Sequence, residues 1–173
     1  MAFGRPRTDE RSAADMNQII RDVLIVTNYA ISEVADVHYE PGVLPPVWCN
    51  IDDVNQILAN LIMNAVQAMS DAALERGGRG LLTVRTCAAE GDVAIEISDT
   101  GLGIPDEIAS RVFDPFFTTR QTGRGSGKGL SVAYALATKR HGGSLTFVSN
   151  AETGTTFTLR LPAGDTAAPH PPR

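Results

Sequence analysis

The chain has 173 residues and a formal net charge of −5. This length is enough for one domain with its own hydrophobic core, and the negative charge argues against a nucleic-acid partner. The sequence shows no apolar run long enough to cross a bilayer and no signal peptide, so we expect a cytoplasmic domain without membrane contact. The two cysteines have no metal-binding spacing, as expected for reduced thiols.

The two ends of the chain differ in composition from its middle. Residues 1–11 are basic and poor in apolar side chains, which is typical of an N-terminal arm or a linker stub. Residues 163–173 are rich in Pro and Ala and are predicted to be disordered. The folded domain is therefore expected over residues 12–162.

An amphipathic helix is predicted from Asp15 onward. Apolar residues recur there at helical spacing, namely Met16, Ile19, Ile20, Val23, Val26, Ala30, Ile31 and Val34. This face predicts packing on the domain core, and a dimerisation helix is the alternative. A short strand is expected at Val37–Glu40, before an irregular segment that contains three prolines.

A second amphipathic helix is predicted at Ile51–Ser70, followed by a polar, glycine-rich loop at Asp71–Gly80. One face of this helix is apolar, and another carries Asp53, Gln56, Asn60, Asn64, Gln67 and Asp71 at helical spacing. Asn60 and Asn64 lie one turn apart, so both side chains can reach one ligand. Their amide oxygens suit Mg²⁺, whereas the alternative is a solvated polar face, and the helix alone does not decide between them.

A carboxylate stands at the end of a predicted strand. Strands at Leu81–Cys87 and Asp92–Asp99 form a predicted hairpin, and the second ends in Asp99, with Gly101 and Gly103 following. A strand end holds a side chain rigidly, and glycines let a flat ligand approach the backbone closely. Alone, this turn is a weak signal, because glycine turns after strands are common.

A glycine-rich segment precedes the third predicted helix. After a short helix at Asp106–Val112, the aromatic stretch Phe113–Arg120 leads into a loop with four glycines at Gln121–Gly129, and a helix follows at Leu130–Arg140. Free N–H groups and the dipole at a helix N-terminus bind anions. Further positive charge comes from Arg120, Arg124 and Lys128. We therefore expect a lid-like loop that cradles phosphates, and a functionless surface loop is the alternative.

The C-terminal part of the chain predicts the last two strands. His141 ends the third helix ahead of Gly142 and Gly143, a position that favours a histidine for purely structural reasons. Strands at Ser144–Ser149 and Thr155–Leu161 are expected to complete the sheet.

Together these features predict a site for Mg–ATP without a Walker loop, built from an amide-bearing helix, a strand-end Asp and a basic glycine loop. The chain resembles the ATP-binding catalytic domain of a bacterial sensor histidine kinase, within the gyrase, chaperone, histidine kinase and MutL (GHKL) ATPase superfamily. The similar motifs are Asn60–Ala65 for the asparagine box, Asp99–Gly103 and Gly125–Ser131 for the two glycine boxes, Phe113–Arg120 for the phenylalanine box, and His141-Gly-Gly and Gly154-Thr-Thr-Phe for the closing strands.

The resemblance implies a fold and a set of site residues. The fold is an α/β (α+β) two-layer sandwich, in which a mixed, mostly antiparallel sheet packs against three helices. Asn64 is the implied Mg²⁺ ligand with Asn60 beside it near the phosphates, which makes both catalytic candidates, and Asp99 is the implied adenine reader. Gly101 and Gly103 are expected to leave room for the base. The full implied nucleotide-binding set is Asn60, Asn64, Gln67, Asp99, Gly101, Gly103, Ile104, Phe116, Thr118, Thr119, Arg120, Gly125, Ser126, Gly127, Lys128, Gly129 and Leu130.

Two departures from the family pattern bear on the chemistry. The family usually has Leu where this chain has Lys128, which adds a phosphate contact or alters lid closure. Chaperone and gyrase relatives carry a catalytic Glu one turn before the Mg²⁺-binding Asn, but this chain has Asn60 there, and an amide is no general base. We therefore expect kinase chemistry rather than rapid ATP hydrolysis.

The resemblance also implies partners. A histidine kinase needs a phosphoacceptor His on a helical dimerisation domain, and only His38 precedes the asparagine box here, in a strand-like context. We therefore expect γ-phosphoryl transfer from Mg–ATP to a histidine on a separate or deleted dimerisation domain, with a response regulator downstream. The alternatives are a nucleotide-sensing module without transfer activity and an anti-sigma-factor-type Ser/Thr kinase, against which the full phenylalanine box argues.

Overall fold

The computed structural model describes residues 9–115, 117 and 129–164. In chain order the elements are β1 (Ser12–Ala14), α1 (Met16–Val34), β2 (Ala35–Glu40), β3 (Val47–Cys49), α2 (Ile51–Arg76), β4 (Gly80–Ala89), β5 (Asp92–Ser98), a 3₁₀ helix (Asp106–Arg111), α3 (Gly129–Ala135), a π-helix (Leu136–Arg140), β6 (Ser144–Asn150) and β7 (Gly154–Pro162). The order of the predicted helices and strands is confirmed, and the differences concern their ends and one additional strand pair.

The central helix α2 is longer than its sequence pattern predicts. It begins after Asn50, whose side chain accepts a hydrogen bond of 3.0 Å from the Asp53 N–H. It continues to Arg76 and stops at Gly77, which adopts a φ of 72° that glycine reaches without strain. The loop expected at Asp71–Gly80 is therefore wrong as far as Arg76, because its first residues include good helix formers that extend the helix.

One mixed sheet contains five strands in the order β2-β4-β5-β7-β6. The pair β2 and β4 is parallel, and the other neighbouring pairs are antiparallel. β4 and β5 form the predicted hairpin, and β6 and β7 form the predicted final pair. The expected sandwich, a mixed and mostly antiparallel sheet packed against three helices, is confirmed.

The hydrophobic core lies between this sheet and the helices. Alternate strand residues are buried toward the helices, among them Ile95 and Ile97 of β5 and Phe157 of β7. The residues between them, such as Ser98 and Thr156, point to the opposite face of the sheet and are only half-buried. Removal of this apolar surface from water is the main term that holds the layers together.

The apolar face of α2 accounts for a second difference from the sequence expectation. Among the described residues, α2 is the one helix long and apolar enough to cross a membrane by length and composition. The expectation that no segment has this property is therefore too strict. In this fold the apolar side chains of α2 are buried in the domain core, as the burial of Leu58, Leu61 and Ile62 shows. A core helix passes the same test, so the observation is weak evidence for a membrane span.

A short strand pair, β1 with β3, is absent from the sequence prediction. Its register places Ser12 opposite Cys49 and Ala14 opposite Val47. Strands of three residues show no recognisable alternation, so the pattern analysis misses them. The pair attaches the segment before α1 to the segment that leads into α2.

The outer side of α1 carries apolar residues that the core does not bury. Ile25, Val26 and Tyr29 are each more than 70% exposed, whereas Ile20 and Ile31 of the same helix are fully buried. The prediction that Val26 belongs to the buried face is therefore wrong. The remaining apolar periodicity of α1 is confirmed by the burial of Met16, Ile19, Ile20, Val23 and Ile31.

Candidate nucleotide-binding site

Asp99 lies directly after β5, and its position is fixed by the neighbouring strand β7. Its side chain is buried, with 4% of the residue exposed. The oxygen Oδ1 accepts hydrogen bonds from the Gly101 N–H at 2.8 Å and from the Thr155 N–H at 3.3 Å. The Asp99 N–H in turn donates to the Thr155 carbonyl at 2.8 Å. The carboxylate is therefore held rigidly through one of its two oxygens.

The second oxygen of Asp99, Oδ2, determines what kind of ligand this carboxylate can bind. In the part of the chain that the structure describes, the hydrogen bonds to this carboxylate use Oδ1, and none uses Oδ2. Burial raises the pKa of the Asp99 carboxyl to about 6, against the lowering effect of its backbone hydrogen bonds with Gly101 and Thr155. A ligand that brings an N–H donor to this oxygen would supply the missing hydrogen bond, and the exocyclic amine of a base is such a donor.

The turn after Asp99 packs tightly against the protein on both sides. A Cβ atom on Gly101 would lie 2.6 Å from backbone and side-chain carbons of Ala68 in α2. Gly103 has a φ of 78°, and its Cβ would lie 2.6 Å from the Asn150 carbonyl oxygen. Both glycines are thus required by protein packing. The expectation that they also leave room for a base stays a prediction. The turn closes with the Ile104 N–H, which donates to Ser149 Oγ at 2.6 Å.

The amide side chains of α2 line the path from this turn to α3. The Asn60 side-chain amide donates to the Gly129 carbonyl at 3.0 Å, so α2 contacts the first turn of α3. Asn64 lies one turn further along the same helix and is half-buried. Gln67 donates to Asp71 at 3.0 Å. The structure therefore brings the predicted α2 residues to the same side of the helix as the start of α3.

The donor set on α2 is compatible with Mg²⁺. Amide oxygens are hard ligands, and Mg²⁺ combines one or two protein ligands with phosphate oxygens and waters. Among the described residues, no group of three or more His, Cys, Asp and Glu side chains is placed to hold a metal. A metal at Asn60 and Asn64 would therefore depend on amide oxygens together with oxygens of the nucleotide.

The start of the aromatic segment is anchored in the core. The Phe113 ring stacks on Tyr134 of α3 at 4.7 Å and lies edge-on to Phe147 and Phe157. Leu130 is half-buried and packs against the core cluster. The other predicted contacts in this part of the site, Phe116, Thr118, Thr119, Arg120, Gly125, Ser126, Gly127 and Lys128, lie outside the described residues.

Not every residue of the predicted polar stripe belongs to the site. The Asp53 side chain is only 2% exposed and forms an ion pair of 2.6 Å with Arg140 from the end of the π-helix. His141 has the expected structural role, because its ring bonds the Asn50 N–H and the Leu136 carbonyl. Conversely, Ser149 and Thr155 contact the site but were absent from the predicted set. The signal for them is the interruption of two apolar strands by hydroxyl side chains.

A cavity of about 240 Å³ opens on the sheet face that points away from the helices. Thr83, Ser98, Val148 and Thr156 line it, and of the predicted site residues that the structure describes its lining includes Asp99 alone. Thr100 and Ser149 line it as well, so this cavity borders the glycine turn, and its lining includes no residue of α2 or α3.

The arrangement of these motifs matches a known family. Residues 49–165 match the family described as histidine kinase-, DNA gyrase B-, and HSP90-like ATPase. The chain belongs to this family. The match includes α2, Asp99, the glycine turn and the last strand pair, so the predicted resemblance to the ATP-binding catalytic domain of a sensor histidine kinase is confirmed.

Individual relatives agree with this assignment. The C4-dicarboxylate transport sensor protein DctS of Rhodobacter capsulatus is 35% identical over 169 residues, which is 96% of this chain and 25% of DctS. The signal transduction histidine-protein kinase AtoS of Escherichia coli is 31% identical over 94% of this chain and 26% of AtoS. The chain therefore spans about a quarter of the length of these relatives.

Solved structures show the same fold. The catalytic domain of the histidine kinase ThkA has a TM-score of 0.76 and 26% identity, over 88% of this chain and 95% of that domain. ThkA in complex with the response regulator protein TrrA is similar with a TM-score of 0.72 and 24% identity, over 90% of this chain and 42% of that one. The match over nearly the whole ThkA domain shows that the described fold is that of a histidine kinase catalytic domain.

Proposed function

We propose that this domain binds Mg–ATP where α2, the glycine turn and the start of α3 meet, and that it donates the γ-phosphoryl group to a histidine of a partner domain. The observation that supports the proposal most directly is Asp99. It is a buried carboxylate, held through one oxygen and without a protein donor for the other among the described residues. This arrangement matches the exocyclic amine of adenine, which donates one hydrogen bond in the plane of the base.

The remaining site residues are arranged for the phosphate end of the nucleotide. Asn60 and Asn64 lie between the turn that holds the adenine and the first turn of α3, which Asn60 contacts through Gly129. Asn64 would hold Mg²⁺ through its amide oxygen. When bound, Mg²⁺ neutralises phosphate charge and fixes the geometry of the transferred group. The chain itself therefore binds and orients the donor.

The same residues favour transfer over hydrolysis. Asn60 cannot remove a proton from water, so this position offers no general base for hydrolysis. A neutral histidine nitrogen is already a nucleophile and needs no such base. Its attack forms an N–P bond while the bond between the γ-phosphorus and the bridging oxygen breaks, and ADP leaves with the bonding electron pair. Positioning and charge neutralisation are then the main sources of rate.

The proposed partners follow from the relatives. The chain spans about a quarter of DctS and AtoS, so the histidine acceptor is assigned to a dimerisation domain in the same kinase or in another chain. The complex of ThkA with TrrA supports a response regulator as the downstream partner. ATP as the donor is consistent with a cytoplasmic location.

The first experiment is a calorimetric titration of the chain with a non-hydrolysable ATP analogue and Mg²⁺, for the wild type and Asp99→Asn. We expect binding by the wild type and a loss of tenfold or more in the variant, because the amide offers a donor where the base needs an acceptor. The control is Asp92→Asn, at the other end of the same strand, where the carboxylate pairs with Arg160. Equal affinity of the wild type and Asp99→Asn would contradict the adenine site.

The second experiment tests transfer. Radiolabelled ATP is incubated with this domain and a histidine-bearing dimerisation domain from a related kinase, and label on the partner is measured after acid and after base treatment, because phosphohistidine is stable to base but labile to acid whereas phosphoserine and phosphothreonine survive acid. Labelled phosphohistidine supports the kinase. Nucleotide binding without label on any histidine partner would favour the nucleotide-sensing module, and label on serine or threonine would favour the anti-sigma-factor type.

A further inference from the structure

The glycine turn after Asp99 has no regular secondary structure between β5 and the 3₁₀ helix. Side chains hold two of its backbone N–H groups. The Gly101 N–H donates to Asp99 Oδ1 at 2.8 Å, and the Ile104 N–H donates to Ser149 Oγ at 2.6 Å. The carboxylate therefore fixes the near end of the turn, and a hydroxyl group on β6 fixes the far end.

Ser149 interrupts an apolar pattern at the point where this turn lies. The residues that face the helices are Leu145, Phe147 and Ser149 on β6, and Thr155, Phe157, Leu159 and Leu161 on β7. In this set the hydroxyl side chains stand at the strand ends nearest the turn. Placing a hydroxyl against a core costs free energy unless it is hydrogen-bonded, so its contacts explain its presence.

The hydroxyl group of Ser149 belongs to a network that includes Asp99. Ser149 and Thr155 are direct cross-strand partners, and their hydroxyl oxygens lie 2.8 Å apart. Thr155 is the residue whose N–H donates to Asp99 and whose carbonyl accepts from it. The two anchors of the glycine turn are therefore connected through one residue of β7.

We propose that Ser149 is a positioning residue for the nucleotide site, whose hydroxyl sets the place of the Gly101–Ile104 turn relative to Asp99 and thereby the fit of the base. It acts through the backbone of Ile104 and does not touch the nucleotide. This inference rests on the proposed function, because it assigns the base to the Asp99 end of the site. Its consequence is that β6, at the edge of the sheet, contributes to nucleotide affinity.

The test compares Ser149→Ala, Ser149→Thr and the wild type. We expect Ser149→Ala to lower the affinity for an ATP analogue, for ADP and for adenosine by a similar factor, roughly threefold to tenfold, since one hydrogen bond of the turn is lost. The similar factor is expected because the base end is common to all three ligands. Ser149→Thr keeps the hydroxyl on a residue suited to a strand and should restore most of the affinity.

The matched control is Ser98→Ala. Ser98 also forms a hydroxyl pair with a threonine of β7, Thr156 at 2.7 Å, but on the sheet face that points away from the helices. We expect this variant to bind all three ligands like the wild type. A thermal melt of each variant identifies losses that come from unfolding, since a folded variant at the titration temperature reports affinity alone.

A readout without nucleotide separates this inference from the proposed function. Hydrogen exchange of the Ile104 amide in the free protein should become faster in Ser149→Ala and stay unchanged in Ser98→Ala. Unchanged exchange, unchanged affinity in folded Ser149→Ala, or an equal loss in Ser98→Ala would each overturn the proposal. If the wild type bound none of the three ligands while exchange at Ile104 still became faster in Ser149→Ala, the proposed function would fail, whereas the anchoring of the turn by Ser149 would be demonstrated.

Discussion

Two buried carboxylates, Asp53 at the start of α2 and Asp99 after β5, solve the same energetic problem in different ways. A charge removed from water is costly unless a partner compensates it. Asp53 has the guanidinium of Arg140 at 2.6 Å. Asp99 has two backbone N–H groups on one oxygen, and burial raises its pKa to about 6. The charge of Asp53 is compensated by a cation of the protein, whereas Asp99 leaves an acceptor position for a ligand.

The surroundings of Asp53 indicate a structural role. Arg140 also pairs with Asp9 at 3.2 Å, and its carbonyl accepts a hydrogen bond from Arg11. The N–H of Asn50, the residue that caps α2, donates to His141 at 3.2 Å. This cluster joins the segment before β1, the start of α2 and the end of the π-helix. A carboxylate within such a network holds elements together, whereas Asp99 holds one turn and belongs to the proposed nucleotide site.

The pH dependence of stability should separate the two most strongly. The folded-state pKa of Asp99 is raised from 3.8 to about 6. Burial therefore favours the protonated form of Asp99. Its contribution to the free energy of unfolding is fully present below pH 4 and is lost as the pH rises through 6. The expected loss is about 3 kcal/mol, from 1.36 kcal/mol per pKa unit. Asp99→Asn cannot ionise and should not show it.

The measurement is urea unfolding of the wild type and Asp99→Asn between pH 4 and pH 8. The difference in free energy of unfolding should change in favour of the variant with rising pH, whatever its value at pH 4. A difference that stays constant across this range would show that Asp99 is not titrating in the folded protein, and the contrast with Asp53 would disappear.

Replacement of Asp53, whose charge Arg140 compensates, should lower the stability of the protein instead. We expect Asp53→Ala to destabilise the folded chain by about 2 kcal/mol, because Arg140 loses its buried partner. The side chain of Arg140 is 39% exposed, so water compensates part of the loss. Nucleotide affinity of the folded protein should change less than twofold.

The control for this prediction is Asp52→Ala, which removes an exposed acid from the same helical turn and so has the same effect on the helix dipole. Both variants are compared by urea unfolding and by calorimetric titration. A folded Asp53→Ala protein that no longer bound the ATP analogue would place Asp53 in the nucleotide site and contradict the division proposed here.

The sequence predicts the contrast only in part. Asp99 is recognisable because a strand pattern ends in a carboxylate and a glycine turn, which are local signals. Asp53 shares the helical stripe of Asn60 and Asn64, and its burial depends on Arg140, which is 87 residues away in sequence. Periodicity describes the face of a helix, but it does not describe what covers that face.

The same reason explains the other differences between pattern and structure. The helices and the two hairpins follow from local periodicity and turn residues, and they are confirmed. The pairing of β1 with β3 and the exposure of Val26 depend on distant packing. The glycines after Asp99 are recognisable in the sequence, but Ala68 of α2 and Asn150 of β6, which leave no space for a Cβ there, are not visible in the turn itself.

A smaller effect is expected at the phosphate end of the site. If Asn64 holds Mg²⁺, Asn64→Ala should lower the affinity for the ATP analogue roughly tenfold in the presence of Mg²⁺ and much less in its absence, because a metal ligand is lost. Asn55→Ala, an asparagine on a different side of α2, is the control. An equal loss with and without Mg²⁺ would show that Asn64 contributes to folding or to the base rather than to the metal.

The smallest effect is expected for an exposed carboxylate that already has an ion-pair partner. Asp36 pairs with Arg79 at 3.1 Å, and the two side chains are 74% and 50% exposed. Water already solvates both groups, so the pair should contribute about 0.5 kcal/mol or less, and Asp36→Ala should unfold in urea almost like the wild type. A loss as large as that of Asp53→Ala would mean that ion pairing itself, rather than burial of the pair, holds this domain together. Burial would then not explain the contrast between Asp53, whose charge Arg140 compensates, and Asp99, which leaves an acceptor position for a ligand.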